Sequence, residues 1–287
     1  MAASSRAAGL GRVAILGTGL LGGSLAAALK QGGLASYLVG FSAGDAGQAL
    51  SLGLIDEVAD SVEQAVAGCD TVVLAAPVSV NCELIARLAP HLPPGVLLTD
   101  VSSVKMPVVA AGLRHLGPAL EGFVPCHPIA GSERSGPQAA DPALFRGRIV
   151  ILSPLPQSDE RKTARLEAVW ANLGARVIRL APEEHDRVYG LLSHWPHAIA
   201  FALAGAVARD GASRDLAGPG LMDLTRTAAS SPELWADILI QNAEPVLAAA
   251  GQVGRQTALV EAALRQRDRV ALVNLFSEAA AWRKASG

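Results

Sequence analysis

The residues best suited to chemistry lie in the stretch 126–136, which reads Cys-His-Pro-Ile-Ala-Gly-Ser-Glu-Arg-Ser-Gly. Histidine changes charge near neutral pH, so His127 is a candidate for proton transfer. Pro128 and Gly131 would fix the local backbone and hold the ring in place. Cys126 is expected to be a small buried neighbour. A lone histidine is more often structural, so the assignment depends on what the fold brings to His127.

Three other segments offer possible partners. Ser102 and Ser103 could divide two tasks, one contacting a substrate or a base and the other capping a helix. His194 and His197 are three residues apart and share a helix face. We find no third metal ligand at a suitable spacing and expect no metal. Arg226 could bind a carboxylate with Asp223 holding its guanidinium, or the two could form a plain surface ion pair.

Short apolar runs alternate with alanine-rich helical patterns in the first 180 residues. Apolar strands separated by helices predict a parallel, doubly wound sheet covered on both faces. The predicted strands are 12–16, 37–41, 71–75, 96–100, 148–152 and 176–180, with a short apolar run at 122–125. The predicted helices are 22–30, 80–88, 106–115 and 159–172.

The first strand leads into a G-x-G-x-x-G motif that opens the first helix, which is the context that gives this motif its meaning. In such a turn the backbone approaches a pyrophosphate, and the helix N-terminus attracts its charge. The predicted cofactor residues of the motif are Gly17, Thr18, Gly19, Leu20, Leu21 and Gly22. A glycine-rich turn without a ligand is the alternative.

Other strand ends should line the same cofactor. Ser42 follows the second strand, where an acid would usually hold the ribose 2′-hydroxyl. Because Ser42 carries no charge and no arginine follows closely, NAD or NADP is compatible, and NAD is favoured. Ala76 and Pro77 end the third strand at the same edge, where ligands of doubly wound sheets bind.

From residue 182 onward the pattern is helical, with predicted helices at 191–209, 232–250 and 252–283 and breaks at 211 and 218–220. We therefore expect an α/β protein with three parts. These are a disordered tail over residues 1–11, a Rossmann-type dinucleotide-binding domain over 12–181, and an all-α domain over 182–287 for substrate binding and dimerisation.

Composition excludes several classes of function. The formal net charge of −2 gives no global attraction to nucleic acid or an anionic membrane. The uncharged run 13–29 has nearly the length of a membrane span, but its four glycines fit the cofactor motif better. Three cysteines without a paired motif indicate a reducing compartment, so we expect a cytoplasmic protein.

The order and spacing of these segments resemble the prephenate and arogenate dehydrogenases of tyrosine biosynthesis. The resemblance extends from residue 13 to about 242. It rests on five segments, 17–24, 100–105, 127–136, 193–197 and 220–226, with Trp235 following.

The resemblance implies an oxidative decarboxylation in which a hydride passes to nicotinamide, carbon dioxide leaves and the ring becomes aromatic. It implies that His127 takes the hydroxyl proton and that Ser103 orients that hydroxyl. Arg226 would bind a carboxylate, His197 would line the pocket, and Glu133 would lie at its mouth. Arg134 lies where a side-chain selector could be, and Lys105 is a further candidate cation. The resemblance also implies a homodimer through the helical domain.

Two alternatives remain open. A β-hydroxyacid dehydrogenase would need a lysine base on the first helix of the helical domain, but residues 163–283 contain no lysine. A dinucleotide-binding sensor without chemistry would leave His127 and Arg226 idle.

Overall fold

The structure is a computed structural model that describes residues 9–132, 134–211 and 214–285. The predicted tail of residues 1–11 is corrected at its end. Leu10 is buried, its N–H donates to the Leu34 carbonyl at 2.6 Å, and the Gly11 carbonyl accepts from Ser36. Residues 1–8 lie outside the described part of the chain.

The first domain is built on a six-stranded parallel sheet with the order β3-β2-β1-β4-β5-β6. Its strands are β1 Arg12–Leu16, β2 Tyr37–Phe41, β3 Glu57–Val58, β4 Thr71–Leu74, β5 Leu97–Asp100 and β6 Phe123–Val124. The reversal of order beside β1 is the position at which doubly wound folds bind dinucleotides. The helices of this domain are α1 Leu20–Gln31, α2 Ala46–Ser51, α3 Val62–Val66, α4 Val78–Leu88, α5 Met106–His115 and α6 Glu160–Asn172.

Both faces of this sheet are buried, because successive side chains of each strand point to opposite faces. Leu16 and Leu74 pack on one face with α4 and α5, whereas Ile15 and Val73 pack on the other with Trp170 of α6. This explains why the strands read as continuous apolar runs rather than as alternating ones.

The expectation of a single parallel sheet is wrong for the later strands. The strands β7 Cys126–Pro128, β8 Ile149–Leu152 and β9 Arg176–Arg179 form a separate sheet. In this sheet β7 runs antiparallel to β8, and β8 runs parallel to β9. His127 therefore lies inside a strand, three residues beyond the end of β6, rather than directly after a strand.

The second part of the chain is helical, as predicted, with breaks at Gly211 and Gly218 as expected and two further breaks inside predicted helices. Its α-helices are α7 Pro182–Tyr189, α8 Trp195–Asp210, α9 Pro219–Thr225, α10 Pro232–Gln241, α11 Ala243–Gln266 and α12 Arg269–Ala285, with a π-turn at Gly190–His194 and a 3-10 turn at Arg226–Ala229. The predicted helix 232–250 is interrupted at Asn242, and the predicted helix 252–283 is interrupted by Arg267 in a left-handed conformation.

The helical domain docks on the first domain beside α4 and α5. Trp235 and Ile238 of α10 pack against the apolar core on that face, and the Ser79 N–H donates to Asp237 Oδ2 at 3.2 Å. One helical stretch, Pro182–Asp210, is long and apolar enough to cross a membrane by length and composition alone. Its buried side chains include His185, Asp186 and His194, which are polar.

Candidate active site

The glycine loop between β1 and α1 is closely packed against the sheet and open on its outer side. Gly17 has φ of +103°, and a Cβ there would lie 2.6 Å from the Ala75 carbonyl carbon. A Cβ on Gly22 would lie 1.9 Å from the Gly17 oxygen, whereas one on Gly19 would meet nothing within 4 Å. Only glycine fits the first and third positions, and the open side at Gly19 leaves room for a phosphate group.

The N-terminus of α1 offers unshielded backbone donors to this space. Gly19 is the N-cap, no side chain caps the helix, and no acid lies in its first turn, which begins with Leu20 and Leu21. Thr18 is buried, and its hydroxyl has no partner among the described residues. Ser42 follows β2 and is half-buried. These features fit the pyrophosphate and adenosine ribose of a dinucleotide.

Asn81 holds the next strand end in place. Its side-chain amide donates to the Ala76 carbonyl at 2.9 Å and to Ser102 Oγ at 2.9 Å, and its oxygen accepts from the Ala76 N–H. Ala76 and the exposed Pro77 thus follow β4 at the edge that carries the glycine loop. Ser102 is buried, and its Oγ accepts this bond from Asn81.

A buried ion pair fixes the backbone immediately before His127. Asp100 accepts the Cys126 N–H at 3.0 Å, and Lys105 Nζ donates to the Cys126 carbonyl at 2.5 Å and to Asp100. Cys126 is fully buried, as expected. Lys105 is also fully buried, so the prediction that it contacts the substrate is wrong.

His127 begins a chain of hydrogen bonds into the helical domain. Its Nδ1 lies 2.8 Å from His185 Nε2, and His185 Nδ1 lies 2.8 Å from Asp186 Oδ1. Burial lowers the pKa of His127 well below its usual range, and the neighbouring His185 ring and the charge of Lys105 act in the same direction. Burial also lowers the pKa of His185. His127 is therefore neutral at pH 7, as a proton acceptor must be, and the residue as a whole is half-buried.

Sequence reasoning missed His185 and Asp186. One available signal was the position of the pair in α7, the first helix after the last strand. Asp186 also accepts the Lys105 N–H at 2.7 Å and the Met106 N–H at 2.8 Å, so it caps α5 from another domain. Asp186 thus has the capping role that was predicted for one of the two serines. Ser103 precedes α5, is half-buried and is not needed as its cap.

A second group of side chains belongs to the helical domain itself. The His197 ring stacks on Trp235, with centroids 3.6 Å apart, and its Nδ1 donates to the Ser193 carbonyl at 2.8 Å. Burial lowers the pKa of His197, and the charge of Arg226 lowers it further. The 3-10 turn that begins at Arg226 packs against α8, which carries His197, so these two predicted site residues lie in one region with Trp235 beside His197.

His194 lies deeper than His197 and was not assigned a role from the sequence. The Asn242 side-chain amide donates to the Asp186 carbonyl and to His194 Nδ1, each at 2.9 Å. Burial lowers the pKa of His194 to about 4. The ring approaches the Ser103 backbone, yet its Nε2 completes no hydrogen bond with any described residue.

The remaining predicted site residues lie at the surface or outside the residues that the structure describes. Arg134 is exposed, and its N–H donates to Ser132 Oγ at 3.1 Å. Glu133 lies outside the described residues. Asp223 and Arg226 are both described and both exposed, and no ion pair joins them. Arg226 is thus left available for an anion.

Two family models divide the chain between them. Residues 25–179 match the prephenate dehydrogenase nucleotide-binding domain, and residues 181–278 match the prephenate dehydrogenase dimerization domain. The chain belongs to the prephenate dehydrogenase family. Its fold class is therefore a Rossmann-type domain followed by a helical domain, as expected, and the family binds a nicotinamide cofactor in the first domain.

Individual relatives agree with this membership. The chain is 34% identical to prephenate dehydrogenase from Bacillus subtilis, over 94% of this chain and 75% of that protein. It is 36% identical to cyclohexadienyl dehydrogenase from Zymomonas mobilis, over 82% of each. The solved prephenate dehydrogenase from Aquifex aeolicus in complex with hydroxyphenyl propionate and NAD+ superposes with a TM-score of 0.89, at 31% identity, over 98% of this chain and all of that one.

Membership decides between the alternatives left open by the sequence. The chain is an NAD(P)-dependent dehydrogenase of this family, so the readings as a β-hydroxyacid dehydrogenase and as a sensor without chemistry are wrong.

Proposed function

We propose that the protein oxidatively decarboxylates prephenate, arogenate or both, giving 4-hydroxyphenylpyruvate or tyrosine for tyrosine biosynthesis. The observation that carries the proposal is His127, a neutral, partly accessible base that faces the helical domain in a chain of this family. The bound nicotinamide would supply the hydride acceptor.

The protein's own residues accept one proton from the substrate and return it to the product. As the hydride leaves C4, His127 takes the proton of the C4 hydroxyl, with Ser103 orienting that hydroxyl. Carbon dioxide then leaves C1, and the electron pair of the broken bond makes the ring a phenolate. His127 returns its proton to the phenolate oxygen, so the residues end as they began. Because aromatisation makes the reaction strongly downhill, the site has mainly to orient the reacting groups.

The carboxylates of the substrate need cationic partners. We assign Arg226 to one carboxylate, since its guanidinium has no acidic partner in the described structure and lies close enough to His197 to lower its pKa. Arg134 would approach the side chain of the substrate, and Glu133 would lie at the mouth of the pocket. His197 and Trp235 would form the wall beside the ring.

The cofactor preference is proposed as NAD. Gly17, Gly19 and Gly22 would receive the pyrophosphate, and Ser42 would meet the adenosine ribose. Ser42 neither repels a 2′-phosphate nor binds it by charge, so NADP would also be accepted. We expect the cofactor to bind in the Rossmann-type domain, residues 12–181. We expect the helical domain, residues 182–287, to complete the active site.

The assembly is proposed as a cytoplasmic homodimer through the helical domain. Leu247, Leu264, Val270 and Phe276 expose more than half of their surface, and α12, which is fully described, buries no residue completely. A second copy covering these apolar side chains would remove them from water. Sedimentation of the full chain should give twice the mass of one chain; a single-chain mass at micromolar concentration would contradict the dimer.

Steady-state kinetics test the activity. The purified chain is mixed with NAD or NADP and with prephenate or arogenate, and the reduced cofactor is followed by its absorbance. We expect turnover with at least one of the four combinations and a higher kcat/KM with NAD. The ratio of kcat/KM for the two substrates defines the preference. Absence of turnover in all four combinations would contradict the proposal.

A further inference from the structure

The bonds around Asp186 fix the proton on His185. Both Asp186 oxygens accept backbone N–H groups, from Lys105 at 2.7 Å and from Met106 at 2.8 Å. A carboxylate held in this way acts as an acceptor toward the ring that lies 2.8 Å from it. His185 Nδ1 therefore carries a proton and donates it to Asp186.

The proton on His127 follows from that on His185. Burial lowers the pKa of His185, so the ring is neutral at pH 7 and its Nε2 has a lone pair. That nitrogen lies 2.8 Å from His127 Nδ1, so His127 must donate from Nδ1. His127 is neutral as well, which leaves its Nε2 unprotonated. This is the nitrogen that can accept a proton from a substrate.

We propose that His185 and Asp186 are positioning residues that hold His127 in the Nδ1–H tautomer and stabilise the imidazolium that it forms. The proposal rests on the proposed function only for the source of the proton. When His127 gains charge, its bond to His185 becomes charge-assisted, and Asp186 provides the counter-charge one ring away. The logic is that of a serine–histidine–aspartate triad, in which the aspartate sets the tautomer of the base.

Asp186 also aligns the two catalytic segments with each other. Its carboxylate accepts the N–H groups of Lys105 and Met106, two and three residues after Ser103, and the His185 ring between it and His127 completes the link. Ser103 and His127 belong to the first domain, whereas Asp186 belongs to the helical part. We call the hydrogen-bonded chain His127–His185–Asp186 the relay. It links the positions of His127 and Ser103 to the docking of the two domains.

A matched pair of variants separates positioning from packing. His185→Gln keeps a hydrogen-bonding group near the position of Nε2, whereas His185→Met has the same shape without one. We expect His185→Met to lower kcat by about 10- to 100-fold with little change in KM. It should also move the acid limb of the kcat–pH profile to lower pH, because the imidazolium of His127 loses its acceptor. His185→Gln should recover most of the rate, and the exposed His91→Gln should change nothing.

Nitrogen-15 NMR of the full chain labelled at its six histidines tests the tautomer without any turnover. The wild-type spectrum should show His127, assigned by its loss in His127→Asn, protonated at Nδ1 and unprotonated at Nε2. His185→Met should shift it toward the other tautomer. Protonation of wild-type His127 at Nε2 would overturn the relay, as would equal rates and pH profiles in the Gln and Met variants. If no substrate turns over, the proposed function fails, and the spectrum still decides the relay.

Discussion

The two ends of the candidate site are built in opposite ways. At one end His127, His185 and Asp186 form a chain of bonds 2.8 Å long at each step, with two of the three members buried. At the other end Arg226 and Arg134 are exposed, and Arg226 has no acidic partner among the described residues. The proposed proton acceptor is thus held in place by the protein's own bonds, whereas the two arginines proposed to bind anions are exposed to solvent.

The largest expected effect comes from removing the base. We expect His127→Asn to lower kcat by at least about 100-fold with a modest change in KM, as loss of general base catalysis does. The measurement is steady-state kinetics at neutral pH. His91→Asn, at an exposed histidine, is the control. A His127→Asn protein with nearly full rate would make His127 a structural residue.

The second effect concerns stability in acid. Burial lowers the pKa of His194 to about 4, so between pH 6.5 and 4 the unfolded chain binds a proton there that the folded chain does not. Stability from this residue is present above pH 6.5 and falls as the pH decreases. The loss at pH 4 should be on the order of 3 kcal/mol, and the lowered pKa values of His127, His185 and His197 add to it.

Denaturant unfolding between pH 7 and pH 4 measures this loss. Other groups also titrate in this range, so the comparison is with His194→Gln, which removes the group that cannot be charged when folded. The variant should lose less stability on acidification than the wild type does. An equal loss in both proteins would show that His194 is not held neutral by the fold.

Features formed by residues close in sequence could be predicted, whereas contacts between distant residues could not. The glycine loop was predictable because Gly17, Gly19 and Gly22 are close in sequence and their spacing is set by one turn and one helix. The strands β1 and β2 were also predictable, because each is a short apolar run bounded by turns.

The relay was not predictable from local pattern. His185 is 58 residues from His127, and Asp186 is 81 residues from Lys105, so only the docking of the helical part brings them together. The second sheet was missed for a similar reason, since β8 looks like any buried strand and its partner β7 has only three residues. The break at Asn242 has no glycine or proline at that residue; there the Asn242 side chain is bonded to His194 and to the Asp186 backbone.

The third effect tests the exposed end of the site. We expect Arg226→Ala to raise KM by roughly 10- to 50-fold with a smaller change in kcat, because a charge-assisted contact to a carboxylate mainly binds the substrate. Arg226→Lys should recover part of the loss, since it keeps the charge without the planar fork. Asp223→Asn should leave KM unchanged, because no ion pair joins Asp223 to Arg226. A large effect of Asp223→Asn would show that the two residues act together.

The smallest effect concerns the cofactor, far from both ends of the substrate. Ser42→Asp places a carboxylate where the adenosine ribose is expected, so it should repel a 2′-phosphate and accept a bond from a 2′-hydroxyl. We expect kcat/KM with NADP to fall by roughly 10-fold relative to that with NAD, while KM for the organic substrate stays constant. Ser42→Ala, which adds no charge, should leave the ratio nearly unchanged. Because Ser42 lies at the end of β2 and the substrate residues lie beyond β5, a change in substrate KM would mean that the two ligands are coupled through the sheet. An unchanged cofactor ratio would instead place the ribose away from Ser42.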